Sequence, residues 1–104
     1  KTFYNRLPNL RHLDLSFNNI SQIDSYSFEK LSDIFSLNLS NNKIEYFTSD
    51  LFGSIEITSL QKLILINNFL KYFEVYKIFK FVNYLSELNL KDNHIFDMRI
   101  TASY

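Results

Sequence analysis

Several residue types that would point to particular classes of protein are scarce or missing from this sequence. None of its 104 residues is cysteine, which excludes disulfides, zinc–cysteine sites and thiol catalysis. One glycine and one proline are too few for a disordered or low-complexity chain. The formal net charge is zero, with 11 basic and 11 acidic residues and no basic run, so we expect no nucleic-acid partner. The apolar runs are far shorter than the ~20 residues that span a bilayer, so we expect no membrane insertion in this segment.

What the chain does have is one motif in four copies. "LRHLDLSFNNI", "IFSLNLSNNKI", "LQKLILINNFL" and "LSELNLKDNHI" begin at residues 10, 34, 60 and 85, at intervals of 24, 26 and 25 residues. Each copy fits L-x-x-L-x-L-x-x-N-x-L, with Ile allowed for Leu. The sequence therefore predicts a single array with repeats at 10–33, 34–59 and 60–84, a truncated repeat at 85–104, and the tail of a preceding repeat at 1–9.

Such a repeat is expected to fold as one stacked core. In "LDL" alternate side chains point to opposite faces, so a single strand cannot bury its leucines alone, and stacked copies form a parallel sheet. The recurring asparagine carries a donor and an acceptor that can satisfy the backbone where it turns inside the stack. We expect this asparagine ladder to comprise Asn18, Asn42, Asn68 and Asn93. We expect a stacked aromatic row to comprise Phe28, Phe52 and Phe79.

The segment from Tyr72 to Leu85 has a different pattern, in which two apolar residues alternate with one polar residue. A period of three keeps a fixed face in 3-10 or polyproline-II geometry and drifts around an α-helix. The pattern therefore favours extended structure or short 3-10 turns, with one or two α-helical turns as the alternative.

With these motifs the chain resembles the leucine-rich repeat family over essentially its whole length. The 24-residue period and the late phenylalanine are similar to the typical subclass of extracellular proteins such as Toll-like receptor ectodomains. The resemblance implies an α/β repeat solenoid, that is, a horseshoe segment with a short-stranded parallel β-sheet on its concave face and mostly irregular or 3-10 convex segments. It also implies a non-enzymatic module of an innate-immune receptor or adhesion ectodomain, extracellular or at the cell surface. A structural scaffold segment or a cytosolic repeat adaptor is the alternative.

The outward strand positions offer a concave surface for a protein or peptide ligand. Three repeats are polar at the two central positions, whereas the third presents Ile64 and Ile66, which mark a predicted contact site. A second surface, or simple packing onto the next return segment, is expected for Tyr72, Tyr76, Phe81 and Tyr84. The predicted polar rim of the concave site comprises Lys62, Glu87, Asn38 and Asn89.

No catalytic or metal site is expected. There is no glycine-rich phosphate loop, no H-E-x-x-H and no nucleophile elbow. His12 and His94 lie in different repeats and cannot share a metal, and the pair His12 and Asp14 has no nucleophile beside it. We therefore predict no enzyme and no cofactor.

The remaining predictions concern modification, compartment and ends. Two glycan sequons occur, and Asn19 is the better acceptor because Asn38 would lie mid-strand on the binding face. The absence of cysteine is typical of a reducing compartment, although an internal piece of a larger secreted protein would show the same composition. No capping module is visible in the sequence, so we expect self-association through open solenoid ends.

Overall fold

The computed structural model of the protein describes residues 10–53 and 58–96. It contains one sheet of four three-residue strands, β1 (His12–Asp14), β2 (Ser36–Asn38), β3 (Lys62–Ile64) and β4 (Glu87–Asn89). Each strand pairs in parallel with the next one along the chain, in the order β1-β2-β3-β4. The predicted stacking of equivalent segments is therefore confirmed for these four copies.

The register aligns the leucine columns without slippage. Leu13 pairs with Leu37, Leu37 with Leu63, and Leu63 with Leu88. Leu37 and Leu63 are fully buried, whereas their counterparts in the first and last repeats are half-buried. The inner repeats have a neighbour on both sides, so each shields the core of the other, as expected for a stack whose stability lies in nearest-neighbour contacts.

The asparagine ladder is present after the strands. The backbone N–H groups of Asn18 and Ile20 both donate to Oδ1 of Asn42 at 2.9 Å. Nδ2 of Asn42 donates to the carbonyls of Leu15 and Leu39, both at 3.0 Å. One amide thus satisfies backbone groups of its own repeat and of the preceding one.

Asn68 and Asn93 repeat this arrangement one and two repeats further along. Asn18 does not: it is exposed, and within the described residues its side chain bonds only the carbonyl of Ser16, at 3.0 Å. The predicted ladder is therefore confirmed for Asn42, Asn68 and Asn93. The preceding repeat tail that Asn18 would bond, at 1–9, lies outside the described residues.

The return segments differ from one another. The second contains the short 3-10 helix Ser49–Phe52, as predicted for such segments. The third contains the α-helix α1 (Val75–Phe81), so extended or 3-10 geometry was the wrong expectation for these seven residues and the alternative of one or two α-helical turns is confirmed. Tyr72 to Glu74, before the helix, are not helical. The Val82 N–H donates to the Ile78 carbonyl at 2.9 Å, which continues the α-helical spacing past the last helical residue.

This helix changes the predicted aromatic row. Phe28 and Phe52 are buried with ring centroids 6.0 Å apart, as expected. Phe79 is only half-buried, and Ile78 is buried in its place because the helix turns that residue toward the core. The aromatic packing instead continues through Phe47, whose ring lies 5.9 Å from Phe52 and 6.3 Å from Phe73.

Other sequence predictions fall outside the described residues. These include the tail of a preceding repeat at 1–9 and the end of the truncated repeat at 97–104. Residues 54–57, in the return segment between the second and third repeats, also lie outside them.

Candidate interaction surface

The strand residues that alternate with the buried leucines form a second face of the sheet, which we call the outer sheet face. Its central column consists of Asp14, Asn38, Ile64 and Asn89, which the parallel register places side by side. Neighbouring strands of a sheet lie about 4.8 Å apart, so these side chains form one contiguous strip.

Three members of this strip bond their own turn. Oδ1 of Asp14 accepts the N–H of Ser16 at 2.9 Å, and Oδ1 of Asn38 accepts the N–H of Ser40 at 3.0 Å. Asn89 makes the same contact to the N–H of Lys91, at 3.1 Å. These bonds to the second residue along the chain are Asx-type caps, which orient the backbone as it leaves the strand.

The third repeat departs from this rule. The Ile64 side chain has no acceptor, and the N–H of Ile66 donates instead to Oγ of Ser40 in the neighbouring repeat, at 3.2 Å. Ser40 is buried, so this contact is shielded from water. A hydroxyl from repeat two thus replaces the cap that repeat three lacks.

Ile64 and Ile66 are half-buried, and they lie outside the apolar core cluster that the described residues form. Their partly exposed surface is therefore not explained by core packing. Of the predicted rim, Lys62 and Glu87 are exposed, and they pair in register on adjacent strands. The structure brings these four residues together on two neighbouring strands.

The other predicted rim residues, Asn38 and Asn89, lie on either side of Ile64 in the register but are half-buried. Their amide oxygens are engaged in the caps described above. The caps use one of the two acceptor sites of each amide oxygen and leave the amide nitrogens unused.

His12 and Asp14, which are close in sequence, make separate contacts on this face. Hydrogen bonds from the Ser16 hydroxyl and from its backbone N–H lower the pKa of Asp14 below its ordinary value. The His12 ring instead makes an edge contact with Phe35, with centroids 5.6 Å apart. Asp14 is therefore held by the turn, as a structural carboxylate would be.

The turns after the strands form a further surface that the sequence patterns did not single out. The residue before each ladder asparagine has a left-handed backbone, with φ between 56° and 59°, at Phe17, Asn41, Asn67 and Asp92. Asn and Asp tolerate this conformation, whereas a phenylalanine rarely adopts it. The recurrence of Asn or Asp in three copies was the signal in the sequence.

Two exposed aromatic side chains belong to this turn surface. Phe17 is 78% exposed and Phe69 is also exposed. Both line an open depression of about 320 Å³ together with the amides of Asn41 and Asn67. The Nδ2 of Asn67 donates to Oδ1 of Asn41 at 2.8 Å, which links the two turns between the aromatic residues.

The second predicted surface, around α1, is only partly assembled. Tyr76 and Tyr84 are exposed. Tyr72 is half-buried, and its ring contacts the ring of Tyr46, with centroids 5.9 Å apart. Tyr72 thus packs onto the adjacent return segment, as the alternative reading of these residues expected. The side chain of Phe81 lies outside the described part of the structure.

Metal-binding clusters and membrane-spanning helices are both absent from residues 10–53 and 58–96. No cluster of three or more His, Cys, Asp or Glu side chains there could hold a metal ion. None of the helices in those ranges combines the length and apolar character that a bilayer span requires.

Comparisons with known proteins agree with the repeat architecture. A leucine-rich repeat family model matches residues 1–44, and a second leucine-rich repeat model matches residues 34–55. A comparison with solved structures finds no match. Together with the four motif copies and the four-stranded parallel sheet, these matches support a leucine-rich repeat family for this chain.

Proposed function

We propose that this chain is a protein-interaction module without enzymatic activity, and that it binds a protein or peptide ligand through the outer sheet face. Leucine-rich repeat domains generally mediate protein–protein interaction, and the two family matches support that class of function. Continued stacking of repeats curves a solenoid, so the outer sheet face would be the concave face of a longer horseshoe.

The observation that carries the proposal is the replacement of a turn cap by an apolar side chain. Ile64 occupies a column in which the other three repeats place Asp or Asn, and its partly exposed surface is not part of the core. With Ile66 it forms an apolar centre, and Lys62 and Glu87 flank it with one charge of each sign. An apolar centre with a polar rim is the usual anatomy of a protein interface.

We further propose that the module belongs to the ectodomain of a larger receptor or adhesion protein, of the typical 24-residue subclass and with a role in innate immunity. The spacing of the first two strands, which begin at His12 and Ser36, supports the 24-residue period. The compartment would be extracellular or the cell surface, with a cytosolic adaptor as the alternative. Flanking sequence with cysteine caps and a membrane-spanning segment would support the ectodomain; flanks without them would favour the adaptor.

The test replaces both isoleucines with the residues that the second repeat has at the same positions. The double variant Ile64→Asn/Ile66→Ser is expected to fold normally, because Asn38 and Ser40 already occupy this geometry next door. It is expected to lose the ligand, because the apolar centre is gone. The ligand is captured by crosslinking to the wild-type chain on cell surfaces, and the same captured protein is then quantified for each variant.

A matched control removes exposed apolar surface elsewhere. The variant Tyr76→Ser/Tyr84→Ser alters the surface beside α1 and should leave the capture of that protein unchanged. If only this control loses the ligand, the outer sheet face is the wrong surface. Circular dichroism and thermal melting confirm that each variant is folded.

A structural scaffold segment is the second candidate, favoured by the caps that Asp14, Asn38 and Asn89 make. Their polarity is then explained by folding alone. A scaffold predicts that no ligand is captured specifically and that the isoleucine variant behaves as wild type.

A further inference from the structure

The turn after β1 holds an exposed aromatic side chain and a glycan-acceptor sequence two residues apart. Asn19-Ile20-Ser21 fits the N-x-S/T acceptor pattern. Phe17 precedes the acceptor by two positions, and both Phe17 and Asn19 have φ of 58°. Their side chains are exposed and line the same open depression.

The backbone between these side chains is fixed by the second repeat. The N–H groups of Asn18 and Ile20 are held by Oδ1 of Asn42, and the Ile20 carbonyl accepts the N–H of Lys43 at 2.7 Å. The alternating positions, Phe17 and Asn19, are left on the solvent side of this turn. The backbone positions of Phe17 and Asn19 are thus fixed by hydrogen bonds between the turn and the second repeat.

Folding alone gives no reason for a phenylalanine at this position. An L-residue in the left-handed conformation costs roughly 1–2 kcal/mol, and the side chain buries little surface in return. Asn41 and Asn67 fill the equivalent positions of the next repeats with a residue that tolerates the conformation. The exposed ring of Phe17, two residues before the acceptor Asn19, is suited to contact a group attached to the Asn19 amide.

We propose that Asn19 is an N-linked glycosylation site and that the ring of Phe17 packs against the first sugar of the glycan. Attachment requires an oligosaccharyltransferase and a lipid-pyrophosphate-linked oligosaccharide. The bond from the sugar C1 to Nδ2 of Asn19 forms as the bond from C1 to the pyrophosphate oxygen breaks, and Nδ2 loses one proton. The inference rests on the ectodomain context proposed above, since this chemistry belongs to the secretory route.

The contact has a simple physical basis. A pyranose ring has a face of C–H bonds, and placing it on an aromatic face removes apolar surface of both from water. The side chain of Asn19 makes no hydrogen bond within the described residues, so a glycan there displaces no contact of the fold. The depression beside it, which extends to Phe69, leaves room for the sugar.

The other acceptor sequence, Asn38-Leu39-Ser40, lacks these properties. Oδ1 of Asn38 caps the Ser40 N–H, and Ser40 itself is 5% exposed with its hydroxyl bonded to the Ile66 N–H. A glycan on Asn38 would stand between Asp14 and Ile64 on the outer sheet face. The two sequons are therefore distinguished by their structural setting although their sequences are equally good.

The occupancy of the site is tested by secreting the full 104-residue chain from eukaryotic cells behind a cleavable signal, with intact-mass analysis before and after endoglycosidase treatment. Wild type is expected to carry one glycan, which Asn19→Gln abolishes and Asn38→Gln retains. An unmodified chain, or a glycan that depends on Asn38, would overturn the proposal. The assay involves no ligand, so its failure is distinct from a failure of the binding proposal.

The role of Phe17 is tested by the melting temperature of four secreted chains. Wild type is compared with Asn19→Gln, and Phe17→Asn with the double variant Phe17→Asn/Asn19→Gln. The glycan is expected to raise the melting temperature of the wild-type pair and to raise it clearly less in the pair that lacks Phe17. Equal shifts in the two pairs would show that the ring does not contact the sugar.

Discussion

Replacing Asn68 with alanine tests the asparagine ladder at its most buried member. Asn68 is 1% exposed, its Oδ1 accepts the Ile44 N–H at 3.1 Å, and its Nδ2 donates to the carbonyls of Leu39 and Leu65 at 3.0 and 3.3 Å. The two carbonyls keep a second donor, because Asn42 also bonds Leu39 and Asn93 also bonds Leu65. The buried N–H of Ile44 has no such second partner among the described contacts.

The expected loss of unfolding free energy follows from this difference between the Ile44 N–H and the two carbonyls. An orphaned buried N–H costs about 1–3 kcal/mol, and each carbonyl that loses one of two bonds costs about 0.5–1.5 kcal/mol. The sum is about 2–6 kcal/mol, a large share of the about 5–15 kcal/mol that holds a typical domain together. We therefore expect Asn68→Ala to lower the free energy of unfolding severely or to prevent folding.

The matched control is Asn18→Ala, which removes the same side chain from an exposed position. Within the described residues the Asn18 side chain bonds only the Ser16 carbonyl of its own turn, so the expected loss of unfolding free energy is about 1 kcal/mol or less. Urea unfolding followed by far-UV circular dichroism and by the fluorescence of the seven tyrosines measures both variants, with an unchanged m-value as the check on two-state comparison. Equal losses in the two variants would refute the ladder as the source of stability.

Three further changes test other parts of the structure. Phe17→Asn relieves a left-handed aromatic residue and should raise the unfolding free energy of the unglycosylated chain by about 1–2 kcal/mol in urea titrations; a loss would argue against the positive φ. Ile78→Ala should cost about 2–4 kcal/mol and Phe79→Ala less, because only Ile78 is fully buried; the reverse order in thermal melts would contradict the register of α1. The Ser25 hydroxyl lowers the pKa of Asp50, so the ionised carboxylate stabilises the fold above its ordinary pKa of 3.8. This stability is lost as the pH falls through the lowered pKa. Thermal melts from pH 2 to 6 should therefore show a weaker acid dependence for Asp50→Asn than for wild type.

The parts of the fold that recur four times were predictable from sequence. The leucine columns and the ladder asparagines stand at fixed positions in each copy, and a stack of equivalent units leaves one way to bury and satisfy them. Asn42 and Asn68 accept hydrogen bonds from backbone N–H groups of the preceding repeat, at 2.9 and 3.1 Å. Among the described residues the Asn18 side chain bonds only the Ser16 carbonyl of its own turn, and residues 1–9 lie outside them.

The parts that occur once were not predictable in the same way. Counting from the repeat start placed Phe79 in the aromatic row, but an α-helix aligns residues four apart on one face. Ile78 and Val82 have that spacing and are both buried, so the helix settles with Phe79 turned aside. A seven-residue helix is too short to be stable through its own propensity, and its contacts with the neighbouring return segment select it over 3-10 turns.

The caps on the outer sheet face explain why three of its four central residues are polar. Polarity at Asp14, Asn38 and Asn89 is explained by the N–H groups that these side chains accept, so it is not by itself evidence of a ligand. An isoleucine at position 64 would leave the Ile66 N–H without a cap and destabilise the fold, but Ser40 of the adjacent repeat supplies the acceptor. An outward strand position therefore need not carry a capping side chain when the adjacent repeat supplies the hydrogen-bond acceptor. Among the four central residues this has happened at position 64, whose side chain therefore has no capping role in the turn.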